Sequence, residues 1–335
     1  MSDIETPFPF AENPHRHQAE ERNRRWVRQM GLVTSPAAID RFIAADWGAF
    51  TSVCYPAAGL DDLALLTGWM SWMGLLDDQQ AEGKYRTSAD WVTLLPEILP
   101  VIWQRPRSGH ASGPVGGGPL GRALDDLLAR TLPVFSPAWS NRLRAHLTDI
   151  FEGLLTESYV PARPAATAVA ASLPGYIDIR RGSAMVSASI DLVELAVGRE
   201  LPERAARSGT YRMLINATTD LICWHNDLYS LAKEEATGGI TNLVLVLESA
   251  HSCDRPRARS MAIDLIDART REFLDARARL PVVLRALGES DCVETALQCV
   301  EGMQHWVAGN LHWCKTSPRY SRASTEPGSI EDLLR

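Results

Sequence analysis

The sequence lacks the features that mark membrane-spanning, secreted or zinc-binding proteins. No stretch approaches the roughly 18 uninterrupted apolar residues of a membrane span, and the first residues do not place a basic segment before an apolar one, as a signal peptide does. Six cysteines are present, but none forms a CxxC pair, so the pattern favours neither a zinc cage nor a disulfide framework. We therefore expect a cytoplasmic protein with reduced thiols and no membrane insertion.

Positive charge is also scarce. The 34 Lys and Arg residues against 41 Asp and Glu residues leave a net charge of −7, which argues against binding to nucleic acid or to anionic membranes. Aromatic residues make up only 7% of the chain, but 45% of its residues are hydrophobic, which is enough for a large core. Because no central linker divides the chain, we predict a single domain over residues 1–335. The oligomeric state stays open, with a homodimer as one alternative.

Apolar residues that alternate with a period of two are rare, whereas helical spacing recurs almost throughout, so an all-α fold is predicted. The predicted helices are residues 17–32, 36–53, 60–80, 89–104, 138–159, 175–197, 203–236, 240–250, 257–285 and 291–315. Residues 105–121, rich in Gly, Pro and Ser, are predicted to form a flexible loop, and the polar residues 321–335 a mobile tail.

One carboxylate interrupts an apolar helix face. Asp77 follows Met73 at i+4, so it continues the inward-facing stripe. Asp77 and Asp78 lie near a predicted helix C-terminus, where the helix macrodipole disfavours negative charge, and the sequence shows no compensation for it. A divalent cation held by these carboxylates would supply the counter-charge. The alternative is an exposed acidic helix end.

A second set of candidate ligands lies in the segment NDLYSLAKE. Asn226, Ser230 and Glu234 are spaced at i, i+4 and i+8, so each is rotated by about 40° and raised by about 6 Å from the one before, along one helix face. Amide, hydroxyl and carboxylate oxygens are the hard ligands that suit Mg²⁺. Lys233 is adjacent to this face and within reach of a phosphate bound there. The alternative is a set of polar residues on a solvated face.

Taken together, the two ligand sets resemble those of the bacterial class I terpene synthases. The aspartate-rich motif of that family falls on Asp77 and Asp78, and its NSE triad falls on the residues of NDLYSLAKE described above. Arg180, in YIDIRRGSAM, stands 226 − 180 = 46 positions before the triad, where the family has its diphosphate-sensing arginine. Arg319 and Tyr320 match the terminal RY pair. With the amino-terminal segment NPHRHQAEERNRRWVRQMGLV, the resemblance covers nearly the whole chain.

The sequence departs from the family pattern at two places. The third acid of the aspartate-rich motif is replaced by Ala81, and Glu82 follows one residue later. After the sensing arginine, the family's linker and effector positions fall on Ser183 and Ala184, where the effector is often Gly. The effector acts through its backbone carbonyl, which Ala retains, but Ala has less conformational freedom than Gly.

The resemblance implies a single-domain class I isoprenoid synthase bundle with a central apolar cavity. It implies a carbon–oxygen lyase that ionises a linear isoprenyl diphosphate with three Mg²⁺ ions and cyclises the resulting cation to a sesquiterpene hydrocarbon or alcohol. Asp77 would bind two ions and the NSE triad the third, with Glu82 as a further candidate, while Asp78 orients basic partners. The expected diphosphate-binding residues are Arg180, Lys233, Arg319 and Tyr320.

The apolar wall of the cavity is expected to hold the substrate chain and to stabilise the cation through aromatic faces. The candidates are Phe50, Trp69, Trp72, Met73, Trp306 and Trp313, with Trp306 foremost; ordinary core packing is the alternative for each. Gly74 lies where the family often has a bulky aromatic residue, so its small size is expected to enlarge the pocket. Farnesyl diphosphate (C15) is favoured as substrate, with geranylgeranyl diphosphate (C20) as the alternative.

Two other functions share this fold. A chain-elongating prenyltransferase is disfavoured, because the resembled prenyltransferases carry a second aspartate-rich motif where this chain has NDLYSLAKE. A non-catalytic isoprenoid-binding bundle draws support from Ala81, but the triad and Arg180 serve ionisation better than storage.

Overall fold

The computed structural model describes residues 4–83, 85, 88–109, 115–159, 172–237, 241–317 and 330–334. Within these ranges every element of regular secondary structure is a helix, so the all-α prediction is confirmed. The elements are α1 (Arg16–Met30), α2 (Pro36–Ala45), α3 (Trp47–Cys54), α4 (Leu60–Ala81), α5 (Ser88–Gln104), α6 (Gly118–Thr131), α7 (Pro137–Tyr159), α8 (Leu173–Ser183), α9 (Val186–Asp191), α10 (Val193–Val197), α11 (Glu203–Ala206), α12 (Gly209–Thr237), α13 (Leu243–His251), α14 (Arg255–Ala286) and α15 (Val293–Thr316), with a 3₁₀ turn at Ser290–Cys292.

The helices surround one continuous apolar core. Helix α12 packs against α14 and α15, and α4 packs against α1, α3 and α6, while α7 packs against α5 and α8. The buried apolar side chains of these helices form a single cluster. In the described ranges no helix is both long enough and apolar enough to cross a membrane.

The helix predicted over residues 36–53 is interrupted at Asp46. This residue has a positive φ of 48° and ends α2, and its side chain caps α3 by accepting a hydrogen bond from the Ala49 amide at 3.0 Å. Arg16 on α1 donates to the Asp46 carboxylate at 2.6 Å. The interruption turns α3 away from α2, so that Trp47 begins a new helix.

The helix predicted over residues 175–197 is three short helices, α8, α9 and α10. The first break is at Met185, whose φ of 61° lies in the left-handed region that β-carbons disfavour. Helix α8 lies directly on α7 there, because a Cβ added to Gly153 would be only 2.4 Å from the carbonyl carbon of Gly182. The absence of a side chain at Gly153 therefore allows the two helices to meet just before the break.

Helix α6 is absent from the sequence prediction and begins inside the predicted loop 105–121. Its buried residues Leu120, Leu124, Leu127 and Leu128 follow helical spacing, and the Trp72 indole donates to the Leu120 carbonyl at 2.9 Å. The glycines and prolines before Leu120 obscured this pattern.

The last described residues contact the body of the protein, although the sequence predicted a mobile tail from residue 321. The Glu331 carboxylate accepts from the Thr34 and Ser35 amides at 2.8 and 2.7 Å, and the Gln79 amide donates to its carbonyl at 2.8 Å. Leu334 is fully buried. Residues 330–334 therefore anchor the end of the chain against α4 and the start of α2.

Candidate active site

The acidic end of α4 is partly neutralised by an arginine from another helix. Arg41 on α2 approaches Asp78 with an Nη2 to Oδ1 distance of 3.0 Å, and its Nη1 is 3.0 Å from Oε2 of Glu82. Burial lowers the pKa of Arg41, but the two carboxylates raise it by more. Asp77, by contrast, is exposed. The compensation that the sequence did not reveal is Arg41, which pairs with both Asp78 and Glu82.

The three triad residues lie on α12 as the spacing predicts, and two of them are directly bonded. The Ser230 hydroxyl donates to Oε1 of Glu234 at 2.5 Å, and the Asn242 amide donates to Oε2 at 3.0 Å. Burial and the nearby Asp227 raise the pKa of Glu234 to about 7, although Arg180 and these two hydrogen bonds oppose the rise. This crowding of carboxylates is the environment in which a bound cation stabilises the ionised form.

Arg180 joins the end of α8 to the triad helix. Its Nη2 donates to Oδ1 of Asp227 at 2.9 Å and lies 3.5 Å from Oδ1 of Asn226. Burial lowers the pKa of Arg180, but Asp227 raises it well above its usual value. Asp227 is fully buried, and it also accepts hydrogen bonds from the Tyr176 hydroxyl and, at 2.7 Å, from the Leu243 amide. One carboxylate thus connects α8, α12 and α13 and orients Arg180.

Glu157, near the end of α7, contacts α4 close to the acidic pair. The Gln80 amide of α4 donates to its Oε2 at 3.5 Å. Burial raises the pKa of Glu157, as do Asp77 and Asp227, while Arg180 and the Ser183 hydroxyl act in the opposite direction. Charged groups on α4, α8 and α12, namely Asp77, Arg180 and Asp227, therefore all act on the Glu157 carboxyl.

The predicted effector residue, Ala184, has an ordinary right-handed helical conformation. Ala184 ends α8 with φ −73°, and its amide donates to the Arg180 carbonyl at 3.0 Å. The residue with positive φ is the next one, Met185. The helix break therefore does not require a glycine at position 184. Arg319, Tyr320 and the side chain of Lys233 lie outside the described part of the chain, so their roles stay predictions.

Aromatic side chains from α3 and α15 form a cluster beside α4, about one helical turn before Asp77. The Phe50 ring is 5.4 Å from that of Trp306 and 4.6 Å from that of Trp313, measured between ring centroids. Tyr55 meets Trp306 edge to face at 5.5 Å. Met73 is buried nearby, with the Ser189 hydroxyl 3.4 Å from its sulfur. We call the rings of Trp47, Phe50, Tyr55, Trp306 and Trp313 the aromatic cluster.

Two other candidates, Trp69 and Trp72, form hydrogen bonds to α6. The Trp69 indole donates to the Thr131 hydroxyl at 3.0 Å, and the Trp72 indole bonds to the Leu120 carbonyl, both on α6. These two rings pack α4 against α6. These contacts favour core packing, the alternative to pocket lining, for both residues.

The space beside Gly74 is filled. A Cβ at this position would lie 2.0 Å from Cη2 of Trp47, so the indole from α3 stands where a side chain at position 74 would be. The expectation that Gly74 enlarges the pocket is therefore wrong, because an aromatic ring from another helix takes up the volume.

The donor set suits a hard divalent cation. The candidate ligands combine carboxylate, amide and hydroxyl oxygens from α4 and α12, and Mg²⁺ favours such oxygens together with water and phosphate. Among the described residues, no group of three His, Cys, Asp or Glu side chains forms a metal cluster by itself. The arrangement therefore fits an ion that a phosphate helps to hold, with Arg180 placed to donate to the same phosphate.

Four residues that matter in this geometry were missed in the sequence: Arg41, Trp47, Glu157 and Asp227. Glu157 carried a usable signal, since it follows the buried Ile150 and Leu154 at helical spacing, as Asp77 follows Met73. The other three act through partners on different helices, which spacing does not reveal.

Comparison with known proteins identifies the family of this chain. A family model described as terpene synthase family 2, C-terminal metal binding, matches residues 68–272. A (−)-delta-cadinene synthase from Streptomyces clavuligerus is 32% identical over 95% of this chain and 94% of its own. A (+)-T-muurolol synthase from Roseiflexus castenholzii, described as (2E,6E)-farnesyl diphosphate cyclizing, is 30% identical over 94% of this chain and 92% of its own.

Two further similarities complete the comparison. A (12E)-labda-8(17),12,14-triene synthase from Streptomyces anulatus is 32% identical over 75% of this chain and 76% of its own. The crystal structure of α-eudesmol synthase superposes with a TM-score of 0.82 at 26% identity, covering 94% of this chain and 99% of that one. With the metal-binding family model spanning the site described above, the chain belongs to the bacterial class I terpene synthases.

Proposed function

We propose that this terpene synthase ionises farnesyl diphosphate with Mg²⁺ and cyclises it to a sesquiterpene hydrocarbon or alcohol. The observation that carries the proposal is the contact between the predicted sensing arginine and the triad. Arg180 reaches both Asn226 and Asp227, so a group that binds to the triad also meets a buried guanidinium. Storage of an isoprenoid does not need that combination, whereas departure of a diphosphate does.

The ions would be held by Asp77 on one side and by the NSE triad, Asn226, Ser230 and Glu234, on the other. Bound Mg²⁺ supplies positive charge to the diphosphate oxygens where negative charge develops. Arg180 donates hydrogen bonds to the same oxygens, and Asp227 keeps its guanidinium oriented. We infer three ions from the family resemblance.

The aromatic cluster would receive the hydrocarbon chain and the cation. Phe50 and Trp306 meet edge to face at 5.4 Å and are both buried, so they form an apolar aromatic wall. An aromatic face near a cation contributes about 0.5–2 kcal/mol. The rings also exclude water, which would otherwise end the reaction early.

The C15 substrate is supported by two observations. Trp47 occupies the volume beside Gly74 that a longer chain would use. The T-muurolol synthase similar to this chain is described as acting on farnesyl diphosphate. Geranylgeranyl diphosphate is the second candidate, because a labdatriene synthase is also among the relatives.

The test is a set of incubations of purified protein with farnesyl and geranylgeranyl diphosphates, with MgCl₂ or with EDTA, followed by gas chromatography–mass spectrometry of organic extracts. We expect a cyclic C15 product that requires Mg²⁺. A cyclic product from the C20 substrate alone would replace the C15 assignment, and release of diphosphate from neither substrate would contradict the proposal.

A further inference from the structure

Trp47, the first residue of α3, lies against α4 at a position that no side chain of α4 occupies. A Cβ at Gly74 would be 2.0 Å from Cη2 and 2.1 Å from Cζ2 of the indole, far inside van der Waals contact. Trp47 is only 5% exposed, so the ring is enclosed. The absence of a side chain at Gly74 makes room for the Trp47 indole. The indole in turn leaves no room for a side chain at position 74.

This contact lies about one helical turn before Asp77, a predicted metal ligand. Gly74 precedes Asp77 by three residues, which is a rise of about 4.5 Å along the helix axis. The Trp47 ring is 5.7 Å from Trp313 and 6.1 Å from Phe50, between ring centroids. Trp47 therefore joins the aromatic cluster to α4 at Gly74.

The cluster also reaches the helix break that follows Arg180. The Tyr55 hydroxyl donates to the Ser189 carbonyl of α9 at 2.8 Å, and the Ser189 hydroxyl lies 3.4 Å from the Met73 sulfur. These contacts join the cluster to α9 and to Met73 on α4. A hydrocarbon chain attached to a diphosphate at Asp77 and Arg180 would extend toward it.

We propose that Trp47 sets the length of the isoprenoid chain that the protein accepts. The Trp47 indole, carried by α3, forms the bulky wall that Gly74 on α4 lacks. This wall lies about one helical turn before Asp77. The inference rests on the proposed function. An indole has more non-hydrogen atoms than an isoprene unit, so its removal would open room for one additional unit.

The first experiment compares Trp47→Ala with Trp139→Ala. Trp139 is a matched control because it is also fully buried, but it packs against Phe135 at the start of α7. We expect Trp47→Ala to raise the ratio of kcat/KM for the C20 substrate over the C15 substrate by about tenfold or more. Trp47→Phe should give an intermediate ratio, and Trp139→Ala should leave the ratio unchanged. Equal ratios in the two alanine variants would overturn the proposal.

A binding measurement separates this inference from the proposed function. Farnesyl and geranylgeranyl S-thiolodiphosphates, which resist ionisation, are added with MgCl₂, and the shift in Tm is recorded. Trp47→Ala should gain stabilisation by the C20 analogue relative to the C15 analogue. If the wild-type protein turns over neither diphosphate, the proposed function fails, but this comparison still tests Trp47.

The second experiment moves the aromatic side chain from position 47 to position 74. Gly74→Phe alone should lower Tm sharply, because its Cβ collides with the Trp47 ring. The double variant Trp47→Ala/Gly74→Phe should recover Tm and the wild-type preference for the shorter chain, a non-additive result. A double variant no more stable than Gly74→Phe would show that the two positions do not share one volume and would overturn the inference.

Discussion

Arg41 holds two of the three carboxylates at the end of α4 from a different helix. Its ion pairs with Asp78 and Glu82 are both 3.0 Å long, and all three side chains are largely buried. The sequence pattern DDxxxE left a role for Glu82 open. Arg41, which forms the ion pair with Glu82, lies 37 residues before Asp78 in the sequence. Within this acidic end, Asp77 is the residue whose exposure suits metal binding.

At the triad, we expect Glu234→Gln and Asn226→Ala to reduce turnover by about a hundredfold or more, which is the effect of losing one electrostatic stabiliser. The control is Glu235→Gln. Glu235 is the neighbouring carboxylate, but it is exposed and pairs with Arg255 at 2.8 Å. Steady-state kinetics measure the loss, and circular dichroism checks the fold. Full activity in Glu234→Gln would mean that the triad is only a polar helix face.

Asp227 is the residue whose loss should harm stability most directly. Asp227→Asn would leave the buried Arg180 guanidinium without its counter-charge, and breaking a buried ion pair in this way costs about 3–5 kcal/mol. Urea denaturation gives the free energy of unfolding. The control is Asp61→Asn, since Asp61 is 91% exposed and its pair with Arg22 should contribute less than about 1 kcal/mol. Similar losses in the two variants would contradict the anchoring role.

At the scale of elements, the position of Arg180 depends on how closely α8 approaches α7. We expect Gly153→Ala to push the two helices apart, since the new Cβ would lie 2.4 Å from backbone of Gly182. Overpacking of this kind costs about 1–3 kcal/mol, and the displaced Arg180 should raise KM for the diphosphate. Gly209→Ala is the control, because nothing lies within 4 Å of its Cβ. Thermal melts and kinetics of both variants measure the effect.

A buried charge cluster holds α9 and α10 to α7 behind the helix break. His146 Nδ1 is 2.6 Å from Oδ2 of Asp191, and Arg142 Nε donates to Oδ1 of the same carboxylate at 2.8 Å. Burial lowers the pKa of His146, but Asp191 raises it by more, assisted by Asp149 and opposed by Arg142. The folded-state pKa of His146 is therefore above that of the unfolded chain.

It follows that the stability supplied by His146 depends on pH in a defined direction. A raised pKa stabilises the fold fully below the unfolded value of about 6.5, and the contribution disappears as pH rises through the folded value. His146→Gln should therefore lower the free energy of unfolding more at about pH 6 than at about pH 9. Urea titrations of both proteins at the two pH values check this. A difference that grows with pH would refute it.

At the scale of the whole molecule, residues 330–334 connect the carboxyl end of the chain to its amino-terminal half. Leu333 and Leu334 are 3% and 0% exposed, and burial of a leucine side chain contributes about 1.5–3 kcal/mol. Deletion of residues 330–335 should therefore lower the free energy of unfolding by about 3 kcal/mol or more. Urea denaturation measures it, with Glu331→Gln as the variant that removes only charge. A deletion without effect would show that these contacts do not persist in solution.

The aromatic cluster is where sequence and structure differ most. The sequence predicted Phe50, Trp306 and Trp313 as pocket residues, and the structure brings their rings together. It also predicted Trp69 and Trp72, which pack on α6 instead. Which side of a buried helix meets the site depends on its partners, and single-helix periodicity does not identify them.

What the sequence determined by itself is local. Helical periodicity, the continuation of an apolar face into Asp77, and the alignment of Asn226, Ser230 and Glu234 on α12 all follow from the geometry of one helix. These features sufficed for the fold class and the predicted ligand sets.

What only the tertiary structure decided is non-local. The pairing of Arg41 with Glu82, the anchoring of Arg180 by Asp227, and the packing of Trp47 over Gly74 each join different helices. Their energies come from burial and charge that exist only after the helices pack, and neither residue of a pair encodes its partner in its own neighbours. The candidate ligands could therefore be predicted from the sequence, whereas these contacts between helices could not.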